Sequence, residues 1–67
     1  MPIVIQSRSH EETDWRNEVW RRTRDEAYVL AKCKANLTGR IYRLVNDQGE
    51  VLEEVRYLGR SYHRRTD

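Results

Sequence analysis

Sixty-seven residues leave room for one domain, and the only cysteine, Cys33, excludes an internal disulfide. One thiol cannot hold a structural zinc ion by itself, and 36% charged residues of mixed sign with a net charge of +2 describe a solvated surface rather than a strong polyanion binder. No apolar run reaches the length of a membrane span, and the opening MPIVIQSR is shorter than a signal peptide, so a soluble, cytoplasmic protein in a reducing compartment is expected, with no cofactor, metal or membrane partner. A chain of this size buries only about 60% of its unfolded surface. With no covalent or metal staple, self-association or a bound partner is the expected source of extra stability.

In chain order, residues 2–7 (PIVIQS) are short and β-branched and predict a first strand. Residues 10–14 (HEETD) are polar and acidic, like a turn. Residues 14–22 (DWRNEVWRR) fit two periods. Read as a strand, they give the order β-β-α-β-β, which is the favoured reading. Read as helix, with Ser9 and Glu12 as a capping box, they give β-α-β-β with one long helix. The clearest helix spans 25–37. Thr23 and Glu26 form a capping box, Asp25 and Glu26 suit the positive end of the dipole, and Gly39 marks the stop. Its apolar stripe is narrow, made of Ala27, Leu30, Ala31 and Ala35 with the stem of Lys34 alongside. The last third predicts a hairpin, with strands over 40–45 and 51–58 around the turn Asn46-Asp47-Gln48-Gly49. The fold class is therefore α+β, an antiparallel sheet with one helix packed on one face. The domain spans 1–59 and a basic tail spans 60–67.

The layout from Trp15 onward resembles a group of small bacterial and phage proteins. Their pattern is a tryptophan-bearing strand, a Thr-x-x-Glu-Ala helix start, a glycine near the helix end, a Tyr-Arg-Val-Val-like strand and an Asp-x-Gly turn. The matching residues here are Trp15, Thr23, Glu26, Ala27, Ala31, Gly39, Tyr42, Arg43, Leu44, Val45, Asp47 and Gly49. The resemblance covers about two-thirds of the chain, implies the β-β-α-β-β order, and implies no particular activity. The chain departs from the pattern after Gly59. Trp20-Arg21-Arg22 also stands where the group places an aromatic just before the threonine.

Two surfaces are candidates for function. Setting Val45 opposite Val51 places Ile41, Val45, Val51, Val55 and Tyr57 on one face with an Arg43–Glu53 pair, and Tyr42, Leu44, Leu52 and Leu58 on the other. A single helix covers one face, so Tyr42, Leu44, Leu52 and Leu58 are expected to form an exposed apolar patch for a protein partner or a second copy. The arginine-rich end, with Arg56, Arg60, Tyr62, His63, Arg64 and Arg65, is the candidate nucleic-acid contact, extended by Arg21, Arg22 and Arg24. The chain has eleven arginines against two lysines; arginine's planar fork favours phosphate and carboxylate recognition, and a codon usage rich in arginine is the blander reading. Catalysis is not expected. His10 and His63 lack ligand spacing, Cys33 reads as a small core residue, Glu11, Glu12 and Asp14 lack the spacing of a calcium loop, and no glycine-rich phosphate loop is present. The expected function is a small non-catalytic protein-binding module, an accessory or inhibitor protein. The alternative is nucleic-acid binding by the tail.

Overall fold

The computed structural model describes residues 2–57. The chain order is β1 (Ile3–Arg8), β2 (Arg16–Arg21), α1 (Arg24–Thr38), β3 (Ile41–Val45) and β4 (Val51–Val55), an α+β fold of β-β-α-β-β order. The four strands form one sheet in the order β2-β1-β3-β4, with all three pairings antiparallel. Residues 16–21 are thus strand. The Ser9–Glu12 capping box that would have opened a long helix does form, with Ser9 N donating to Glu12 Oε1 at 3.1 Å and Glu12 N to Ser9 Oγ at 3.2 Å. It closes a turn between β1 and β2 instead, because residues 16–21, which fit either period, pair with β1 and set Val19 against the core as a strand.

The helix begins where its cap dictates. Thr23 is extended and its hydroxyl accepts from Glu26 N at 3.2 Å, while Gly39 at φ 76° takes the left-handed C-cap and donates to Ala35 O at 2.9 Å. Its buried face is the run Ala27, Ala31 and Ala35, with Leu30 partly buried beside it. Methyl side chains let the helix lie close on the sheet, over Ile3 and Ile5 of β1, Tyr42 and Leu44 of β3, and Val55 of β4, with Val19 and Leu52 at the margins. In the β3–β4 turn, Asn46 Oδ1 accepts from the backbone N of Gln48 and of Glu50, both at 2.9 Å, and Gly49 at φ 83° completes the reversal.

Both edge strands carry a bulge. Ile5 pairs with Val19 and Gln6 with Asn17, leaving Glu18 as the extra residue of β2; Leu44 pairs with Glu53 and Val45 with Val51, leaving Leu52 as the extra residue of β4. The Val45–Val51 pairing is as expected. The Leu52 bulge then shifts the rest of the hairpin by one, so that Arg43 faces Glu54 rather than Glu53 and Val55 joins the helix side.

Candidate functional site

The helix covers the face opposite to the one expected. Tyr42 is 1% exposed, Leu44 is 0% exposed, and Leu52 is half-buried and packed against the core, so these three lie under or beside the helix and present no open patch. Leu58 lies outside the described residues. The reason is polar. β1 alternates Ile3, Ile5 and Ser7 on one face with Val4, Gln6 and Arg8 on the other, and pairing puts Ile5 beside Leu44 and Gln6 beside Arg43. Covering the other face would have buried Arg8, Arg43 and Gln6 together, at a cost that no apolar contact offsets.

The buried face holds one polar side chain, and it is fully satisfied. Ser7 is 0% exposed; its hydroxyl donates to Glu18 Oε2 at 2.7 Å and accepts from Nε and Nη2 of Arg40, both at 3.2 Å. Lys34 lies 3.6 Å from Glu18, and Arg40 lies 3.6 Å from Glu12. The Ser7 hydroxyl, followed by the charge of Lys34, holds the Glu18 carboxyl below its ordinary range, and the Glu12 carboxyl is lowered chiefly by the Ser9 backbone N–H. Nearby, Thr38 Oγ1 donates to Lys34 O at 2.9 Å, so its 3.1 Å contact with Tyr42 is donated by the tyrosine. This network ties the bulged β2 to the end of the helix, and among the described residues no buried side-chain donor or acceptor lacks a partner.

The outer face of the sheet is differently built. Trp20, Val4, Val45 and Val51 stand opposite one another across β2, β1, β3 and β4 as one continuous apolar row. Its ends are open, with Trp20 56% exposed and Val51 51%, while between them Val4 is half-buried and Val45 is buried at 8%. The next row is polar. Gln6 Nε2 donates to Asn17 Oδ1 at 2.8 Å, Arg43 Nε donates to Gln6 Oε1 at 2.7 Å, and Glu54 stands opposite Arg43. Trp15, from the loop before β2, lies over the same face. The guanidinium carbon of Arg43 is 4.2 Å from its ring centroid and that of Arg8 is 5.1 Å. In an unbroken strand, residues 15 and 20 would point to opposite sides; the Glu18 bulge brings both tryptophans to one side.

The other expected site residues are dispersed. Arg56 is exposed and pairs with Glu54 at 3.0 Å. Arg60, Tyr62, His63, Arg64 and Arg65 lie outside the described residues. Arg24 reaches Glu53 at 3.4 Å and Leu52 O at 3.1 Å, and Arg21 donates to Trp20 O at 2.8 Å, while Arg22 is exposed and makes no hydrogen bond or ion pair among the described residues. His10 donates through Nε2 to Gly39 O at 3.0 Å. Cys33 is exposed on the outer side of the helix rather than in the core, because the stripe at positions 27, 31 and 35 faces the sheet. Among the described residues no three His, Cys, Asp or Glu side chains come together as metal ligands, and no helix is long and apolar enough to cross a membrane.

The residues missed by sequence reasoning are Val4, Trp15, Trp20, Arg8 and Arg43. One signal for the outer face was present, since an arginine in mid-strand between Ile41 and Val45 marks that side as the one left open. No family model, curated protein or solved structure matches the chain.

Proposed function

We propose that this chain is a non-catalytic protein-binding module that works through the outer face of its sheet. The observation that carries the reading is the aligned row Trp20–Val4–Val45–Val51, ending in a tryptophan more than half exposed. An exposed indole on a rigid sheet supplies large contact area with little conformational entropy to lose, the usual character of a binding hot spot. The face, rather than an edge, is the surface for binding. Each edge strand is short, bulged and charged, with Arg16, Glu18 and Arg21 on β2 and Glu53 and Glu54 on β4, the features by which sheets avoid strand addition. The competing nucleic-acid reading rests on Arg56 and residues 60–65, extended by Arg21, Arg22 and Arg24; of the described four, Arg24 and Arg56 are paired with carboxylates and Arg21 with a backbone carbonyl, while Arg22 is exposed and makes no ion pair among the described residues.

The test is affinity capture from the native cell by the wild-type chain and by Trp20→Ser and Val51→Asp variants, each with and without nuclease. The reading expects a protein that survives nuclease treatment and is lost from both variants. Capture that disappears with nuclease, or that persists through both substitutions, refutes it. Sedimentation at micromolar concentration separates a second copy of the chain from a different partner.

A further inference from the structure

The outer face also carries a preorganised cation, which specifies the partner's chemistry. Building on the protein-binding reading, we infer that the face takes an extended segment of a partner protein in which a carboxylate is flanked by apolar side chains. The carboxylate docks on Arg43 and the apolar side chains lie on the Trp20–Val4–Val45–Val51 row.

Arg43 is fixed from two directions. Its guanidinium stacks on Trp15 at 4.2 Å, and its Nε donates to Gln6, itself oriented by Asn17 at 2.8 Å. Among the described residues its two terminal nitrogens make no hydrogen bond or ion pair, and the carboxylate opposite it in the sheet, Glu54, is turned to Arg56 through contacts of 3.0 and 3.2 Å. A guanidinium held in one plane with its outer nitrogens free matches the two oxygens of a carboxylate, and most of the ordering cost is met within the fold. The apolar row begins at Val45, two residues along β3, a step of roughly 7 Å. That spacing suits one peptide presenting an acid and an apolar side chain on the same side.

A polynucleotide fits less well. The loop that leads into Trp15 carries the exposed acids Glu11 and Asp14, whose charge disfavours a run of phosphates beside it. The Trp15 ring, which would otherwise stack a base, is already occupied by Arg43 and Arg8, and Arg8 is further engaged with the carbonyls of Ser9 and Glu12.

The experiment is selection of a random twelve-residue phage-displayed library on the immobilised full chain. The tightest peptide is then synthesised and titrated into isotope-labelled protein by NMR. Enrichment of Asp or Glu within two residues of a large apolar residue is expected, with shifts at Trp20, Arg43 and Val51. Replacing the peptide's acid by its amide should weaken binding about tenfold or more, Arg43→Lys should do the same, and the two losses should not add. Arg43→Gln serves as a second variant, and the amide peptide needs no variant at all. Peptides that map to this face with no acidic preference, or that bind Arg43→Lys undiminished, overturn the inference while leaving the face as a docking surface. Peptides that shift other residues, or no recoverable binder, overturn both. Tighter binding of a twelve-residue oligothymidylate than of any peptide assigns the face to single-stranded nucleic acid and also overturns the inference.

Discussion

Leu44→Ala and Trp20→Ser, made side by side, decide which face of the sheet is core. Leu44 is 0% exposed, stands beside Ile5, and lies beneath the helix face formed by Ala27, Ala31 and Ala35. Truncating a buried leucine to alanine costs about 2–5 kcal/mol. The middle of that range, about 3.5 kcal/mol, is expected because the alanines above it are too short to fill the void. A domain of 67 residues has a total stability of roughly 3–10 kcal/mol, so the variant loses a third of its stability or more. Trp20 is 56% exposed at the end of an edge strand, and its replacement is expected to change stability by about 0.5 kcal/mol or less. Urea unfolding followed by far-ultraviolet circular dichroism reads both, since the helix signal does not depend on the tryptophan removed. A Leu44→Ala chain already unfolded without urea, beside a folded Trp20→Ser chain, also identifies the Leu44 side as the core. Equal losses, or a larger loss for Trp20→Ser, would refute the assignment of faces and with it the outer-face docking surface.

Three further outcomes are expected. Thr23→Ala removes the side-chain acceptor for Glu26 N and should lower stability by about 1 kcal/mol in the same urea assay, with Thr23→Ser close to wild type. Gly39→Ala meets no atom within 4 Å, so its cost comes from the backbone at φ 76° alone, about 1–2 kcal/mol; a neutral result would mean that the helix ends in another conformation. Glu18 has its carboxyl lowered by the Ser7 hydroxyl, so its contribution is present above the ordinary carboxylate pKa and disappears as pH falls through the lowered folded value. The stability gap between wild type and Glu18→Gln should therefore be widest near neutrality and close on acidification. A gap that grows toward acid pH would contradict the Ser7–Glu18 bond, and carboxyl NMR titration locates the pKa directly.

Local chemistry made the elements legible. The Thr23–Glu26 box and Gly39 set the ends of the helix, the alanine stripe set its buried side, and Asn46 with Gly49 set the hairpin turn, all interactions within a few residues of chain. Residues 16–21 are strand even though Ser9 and Glu12 make their box, because a cap stabilises whatever turn it closes and the pairing with β1 decides a segment that fits both periods. Tertiary structure decided which way the sheet faces. A strand's alternation defines two faces without saying which one the helix will cover, and each bulge reverses the alternation beyond it. Glu18 brings Trp15 and Trp20 to the same side, and Leu52 carries Val55 into the core. The sequence by itself therefore determined the helix over 25–37 and the hairpin turn, while residues 14–22 stayed open between strand and helix until their pairing with β1 decided them. The choice of buried face came from pairing β1 with β3, which gathers Gln6, Arg8 and Arg43 on one side and leaves only the side of Ile5, Tyr42 and Leu44 apolar enough to lie beneath a helix.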